Sequence, residues 1–237
     1  SLNATDFVVV WTGEDSSGNG MFGQLYSQFK KEPVSSIIDD GKVSVVIEPT
    51  SFEADFIIGN ISEGTVFVIT GGSVENQNIT LGKGASSTGN LKLEGSTVKV
   101  IANNQFKVGY LGFGDIEMKK GADLQTETIH IGESENSKGV ALLTGSGTTW
   151  FNKDHLEVGL NGVGQLTLLE GAQLETESGG FSAGVAGSSI VTIKGEQSQL
   201  SVSQNTEIGK EGDVYIALEN EGALDLQTAT VYKETEI

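Results

Sequence analysis

The sequence predicts an all-β chain wound as a right-handed parallel β-helix. This β-solenoid has rungs of about 25 residues, three short strands to a rung, and a β cap at its N-terminal end. Three observations predict it. Glycines recur at a fixed spacing, the segments between them alternate apolar and polar residues, and no long stretch carries a 3.6-residue apolar period.

The repeat is visible by eye. The line "QFKVGYLGFGDIEMKKGADLQTETIH" (Gln105 to His130) returns fifty residues later as "HLEVGLNGVGQLTLLEGAQLETESGG" (His155 to Gly180). It returns again as "NTEIGKEGDVYIALENEGALDLQTAT" (Asn205 to Thr230). Gly59, Gly109, Gly159 and Gly209 each follow an apolar residue. Gly64, Gly114 and Gly164 form a second series, with Gly212 as its slightly early fourth member. A half-period is also present: "GNLKLEGSTVKV" and "GDIEMKKGADLQ" share the form Gly, alternating strand, Gly, alternating strand. A third short strand ends at the apolar-Gly pair, as in "QFKVG", "IHIG" and "HLEVG".

Alternation assigns every second side chain to the interior. One inward set is Val66 and Val68, Ile116 and Met118, Leu166 and Leu168, then Val214 and Ile216. The other is Leu91 and Leu93, Ala141 and Leu143, Val191 and Ile193. Glycine at the corners tolerates the positive φ of sharp turns. A single rung cannot bury its apolar face, so the rungs must stack. Some eight rungs at the strand spacing make a rod of about 40 Å. A β-sandwich of hairpins is the competing fold. Its turns favour Asn-Gly or Asp-Gly, and the only Asp-Gly is Asp40-Gly41, outside the regular repeat.

The first forty residues do not follow the repeat. "DFVVVWTGEDSSGNGMFGQLYSQFKKEP" reads as a strand, an acidic glycine-rich turn and a second strand. Residues 1–40 are therefore expected to be capping strands and residues 41–237 the β-helix domain, since an open solenoid end invites edge pairing.

Composition restricts the partners. The net charge is −18 and all 14 basic residues are lysine. Nucleic acid and anionic membrane surfaces need clustered cations, so neither is an expected partner. There is no cysteine, which excludes disulfides, zinc-thiolate sites and a cysteine nucleophile. No apolar run is long enough to span a bilayer as a helix, and "DFVVVW" is too short for a signal core.

Candidate chemistry is sparse. The aspartates of the regular region, Asp115, Asp123, Asp154, Asp213 and Asp225, are scattered. Asp115 and Asp213 share a repeat position in the glycine alignment but lie about four rungs, near 20 Å, apart. Paired glycosidase carboxylates sit about 5–10 Å apart. Glu117 and Glu127 face outward by pattern, beside Lys119 and Lys120. The two histidines, His130 and His155, occupy different repeat positions and face solvent, which gives little support to a triad or a metal centre. Calcium is the one ion with candidate ligands. "EDSSGNG" and "DDGK" place Asp15, Asp39 and Asp40 in glycine-rich turns, although neither matches an EF-hand loop and both also read as plain turns. No other cofactor is implied. Thr126/Thr128, Thr176/Ser178 and Thr228/Thr230 suggest a flat threonine array of the ice-binding kind, but the alternate rungs break it. Trp150 aligns with Val100 and Leu200, which makes it a core residue rather than a sugar platform.

"LEVGLNGVGQLTLLEGAQLE", followed in the other half-repeat by "GSGTTW" (Gly145 to Trp150), resembles the repeat of bacterial autotransporter (type V secretion) passenger regions and of PEP-CTERM-associated surface proteins. The likeness runs from about Gly41 to Tyr232. "KGEQSQL" and "EGSTVKV" depart from it by lacking the Trp. The resemblance implies a secreted passenger segment, displayed on the bacterial cell surface, adhesive or stalk-like in role and part of a larger polypeptide. It also implies host or bacterial surface glycans or proteins as partners and a link to virulence. The alternatives are a polysaccharide-active β-helix enzyme, a lyase or glycosidase, and a calcium-dependent carbohydrate-binding module. No catalytic constellation stands out, and the segment is not expected to insert into a membrane.

Overall fold

The computed structural model describes residues 6–15, 18–27, 36–52 and 55–232. The chain divides into two compact units, Ser1–Ser35 and Ser36–Ile237. The first holds an antiparallel pair, Asp6–Asp15 with Gly18–Ser27, in unbroken register from Asp6 opposite Ser27 to Asp15 opposite Gly18.

The second unit is a β-solenoid of about eight turns, and every strand pairing in it is parallel. One sheet takes one strand from each coil, in sequence order: Lys42–Val46, Glu63–Ile69, Thr88–Glu94, Phe113–Lys119, Lys138–Thr144, Val163–Leu169, Ser188–Lys194 and Val214–Glu219. The second sheet collects the rest of each coil, from Ile37–Ile38 to Ala223–Val231. The three strands expected per rung are often two, because the second and third fuse. Lys99–Val108 runs through both positions and absorbs the bend as a register shift between Ala102 and Gln105. In other coils the bend breaks the strand, as between Thr149–Asn152 and Leu156–Val158.

The two periods of the sequence have one cause. Gly59, Gly82, Gly109 and Gly132 hold the same corner, with φ of 72°, 66°, 72° and 74°. Their numbers show spacings that alternate between 23 and 27 residues at this corner as far as Gly159, settling to 25 at Gly184 and Gly209, while the first sheet keeps 25 from Gly64 to Val214. Two coils make fifty residues, so the fifty-residue match is the stronger one.

The core is a set of inward columns. Val66, Leu91, Ile116, Ala141, Leu166, Val191 and Ile216 stack through one, and Val68, Leu93, Met118, Leu143, Leu168 and Ile193 through the next, whose last register position, Leu218, is exposed. Each such side chain contributes about 1.5–3 kcal/mol when fully buried. Trp150 is 1% exposed, in register with Leu124 and Leu174, and meets Phe106 edge-on at 5.5 Å. It is a core residue, as its alignment predicted.

Val214 and Ile216 of the last coil face the core as expected, Ile216 buried and Val214 half-buried against it, while Leu218 is exposed. Two expectations are corrected by the register. It is Val214, not Gly212, that stands in the column of Gly89, Gly114, Gly139, Gly164 and Ser189. Gly212, taken as the early member of that column, packs on Gly187. Consequently Asp115 and Asp213 do not share a position. The last-coil counterpart of Asp115 is Tyr215. The glycine column exists because coils approach closely there: a Cβ on Gly89 would lie 2.0 Å from the Ile58 carbonyl oxygen, and one on Gly139 2.1 Å from that of Val108.

Candidate functional site

Asp15 ends the strand Asp6–Asp15; its side chain lies outside the described residues. Asp39 is buried, and its carboxylate is taken up by the turn beside it. Oδ1 accepts from the Asn60 and Ser62 amides at 3.2 and 2.8 Å and from Ser62 Oγ at 2.9 Å, while Oδ2 accepts from the Ile61 amide at 3.0 Å. Burial pushes this carboxyl up, but the donors from Ser62, Ile61 and Asp40 outweigh it and hold it below its ordinary value. Asp40 takes the left-handed φ of 59°, donates its amide to Ser62 Oγ at 2.7 Å and accepts from that hydroxyl at 3.4 Å. The acidic turn therefore fastens the first coil to the second. Among the described residues, no group of three or more His, Asp or Glu side chains is placed to hold a metal ion.

The surface carboxylates meet lysines across coils. Lys92 pairs with Asp115 and Glu117 on the next strand. Burial pushes the Lys92 ammonium down, but these two carboxylates outweigh it and hold it above its ordinary value. Glu94 takes Lys120 and Lys119, and the Lys120 hydrogen bond is the main reason its carboxyl sits below the usual range. Lys107 pairs with Glu133 at 2.8 Å while lying 4.6 Å from the centre of the Tyr110 ring. Glu127 faces Lys153 at 3.1 Å. These pairs reinforce the stacking of neighbouring strands, each by a fraction of a kcal/mol to about 1 kcal/mol where exposed.

A gathering of nucleophile, base and carboxylate lies on the outer face of the second sheet. There Lys107, His130, Glu157, Ser182 and Glu207 form one column, one residue per coil. His130 Nδ1 meets Glu157 Oε2 at 2.5 Å. His155 joins from the adjacent position: its Nε2 lies 3.9 Å from Glu157 Oε1 and 3.1 Å from Ser182 Oγ. The two histidines, read as unrelated in the sequence, thus share one carboxylate.

Polarity decides what this group can do. A serine nucleophile needs a ring nitrogen that accepts its proton, with the opposite N–H donated to a carboxylate. Here the Gly180 amide donates to His155 Nδ1 at 3.2 Å. In the neutral ring the proton therefore sits on Nε2, the nitrogen facing Ser182, and Ser182 Oγ accepts rather than donates. Glu157 also lies on the Nε2 side. The arrangement is the reverse of a hydrolytic triad and serves to pin the loop before Phe181 to the coil below.

The threonine array is also corrected. Thr126 and Thr176 are buried, so no such surface row exists at those positions. Thr126 Oγ1 accepts from Trp150 Nε1 at 3.0 Å and donates to Asn152 Oδ1 at 2.9 Å, while Asn152 Nδ2 donates to the Asp154 carbonyl at 2.9 Å. This is a buried polar string along the bend between the two segments of the second sheet.

No protein-family model matches this chain, and neither a curated protein nor a solved structure matches it.

Proposed function

We propose that this chain is the rod of an exported bacterial surface protein and acts as a stalk or adhesive scaffold. The observation that carries the reading is the unbroken parallel stacking of about eight coils over one continuous core, with lysine–carboxylate pairs bridging the outside. A stack of this kind is stiff along its axis and presents long columns of side chains at a fixed spacing of about 4.8 Å. Both properties suit a part that holds other domains away from a cell or offers a repetitive surface to glycans or proteins. The resemblance of "LEVGLNGVGQLTLLEGAQLE" to passenger repeats supports the same reading.

The test is a glycan array probed with and without calcium, run beside an assay for shortened chains on a panel of acidic and neutral polysaccharides. Binding without calcium and without cleavage supports an adhesive scaffold. Binding that needs calcium would favour a calcium-dependent module, and release of short sugars would overturn the structural reading.

A further inference from the structure

The outer face of the eight-stranded sheet carries a patch unlike the rest of the surface. Over its last four strands, the two central outward columns read Val140, Gln165, Ile190 and Tyr215, then Leu142, Thr167, Thr192 and Ala217. None of the eight is charged, on a chain of net charge −18. Ile190 and Tyr215 are 39% and 49% exposed, and neighbouring Val163 is 39% exposed. Parallel sheets ordinarily have both faces covered. Within the Ser36–Ile237 unit Val163, Ile190 and Tyr215 leave this one open, and only Ala217 of the eight is buried.

We propose that this face docks a second copy of the chain, with the two rods antiparallel. Charge selects the place and the orientation. Two such acidic chains repel, and an uncharged face is where they can meet at least cost. Lys138 and Asp213 stand in one flanking column, three coils apart, with Val163 and Ser188 between them. Both are exposed, and neither has an ion-pair partner among the described residues. A two-fold axis along the strands places Lys138 opposite Asp213 of the second copy, and Asp213 opposite its Lys138. It also lays Val140 on Tyr215, and Thr167 on Thr192. A two-fold axis along the rod would instead set Asp213 against Glu219, like against like.

Area sets the strength. Four strands at about 4.8 Å by about 20 Å of strand give roughly 400 Å² on each copy. The total is below the ~1,200 Å² of stable complexes, so the contact is weak and reversible.

Sedimentation equilibrium of the full chain at low salt tests this over roughly 1 µM to 1 mM. The mass should rise from 24.8 kDa toward twice that value. Lys138→Glu and Asp213→Lys should each weaken association by about tenfold, since a two-fold contact counts each reversal twice. The double reversal should restore it to within about threefold. Thr192→Arg, at the centre, should abolish association, whereas Ser201→Glu on the other sheet should leave it unchanged. Melting curves followed by far-UV circular dichroism confirm that each variant is folded. A wild-type mass that stays at 24.8 kDa to 1 mM overturns the proposal, as does a double reversal no better than either single one.

Discussion

Two glycines eight residues apart, Gly139 in a strand and Gly147 in the turn after it, should respond very differently to alanine, because the reasons for glycine differ. At Gly147 the backbone has φ of 79°, but a Cβ would meet nothing closer than 3.8 Å. The cost of Gly147→Ala is the left-handed conformation alone, about 1 kcal/mol. At Gly139 the backbone is ordinary, but a Cβ would lie 2.1 Å from the Val108 carbonyl oxygen and 2.6 Å from the Gly132 amide nitrogen. Both are backbone atoms of the coil below and of the same corner, already committed to the ladder. The stack must open locally by more than an ångström on one side, at a cost of about 3–5 kcal/mol. For a chain of this length, 1 kcal/mol moves the melting temperature by about 2–4 °C. Gly147→Ala should therefore melt about 2–4 °C lower than wild type, and Gly139→Ala about 6–20 °C lower, by far-UV circular dichroism. Urea midpoints should keep the same order. A Gly139→Ala protein that melts level with or above Gly147→Ala would refute the close-approach account of the glycine column.

The same reasoning extends to three other sites. Asp39→Ala leaves the Asn60, Ile61 and Ser62 amides without their acceptor and should cost about 1–3 kcal/mol at neutral pH, read by urea unfolding. The Asp39 carboxyl sits below its ordinary value of 3.8, so its stabilisation is present above that pH and is lost as pH falls below it. The wild-type advantage over Asp39→Ala should accordingly shrink on acidification, and an advantage that grew would contradict the bonding at Ser62. For His155, nitrogen NMR of the neutral imidazole should show the proton on Nε2; a proton on Nδ1 would reopen the triad reading. Trp150→Ala should cost about 3–5 kcal/mol in urea unfolding, because it empties the core against Phe106 and takes the donor from Thr126.

Much of the architecture was legible because spacing and alternation are both consequences of stacking. Leu166, Leu168 and Trp150 announced their inward positions through their neighbours fifty residues away. Failures came where one signal replaced another. Val214 keeps the spacing of the glycine column but not the glycine, so alignment by residue type slipped to Gly212 and set Asp213 in the position of Asp115. Thr126 and Thr176 read as surface residues because alternation was carried through a bend at which inward parity changes. Leu124 and Thr126 point in, and so does Ile129. The histidine cluster was hidden by the uneven spacing of residues along this column. His130 and Glu157 are 27 residues apart, matching neither the average rung nor the double one. Only the register showed that they are neighbours.

The account rests on one coil adding one strand to each sheet, so that distance along the rod grows linearly with coil number. The chain has no cysteine, and introduced ones can carry spin labels without background. Thr65, Gln165, Ile190 and Tyr215 stand in one outward column, with Gln165 four coils from Thr65, Ile190 five and Tyr215 six. Pulsed electron resonance on Thr65→Cys paired in turn with cysteine at the other three should give Cα separations near 19, 24 and 29 Å, a step of about 4.8 Å per coil. Distances that fail to rise in equal steps would contradict the stacked rod, and with it the proposed role as a stalk or scaffold.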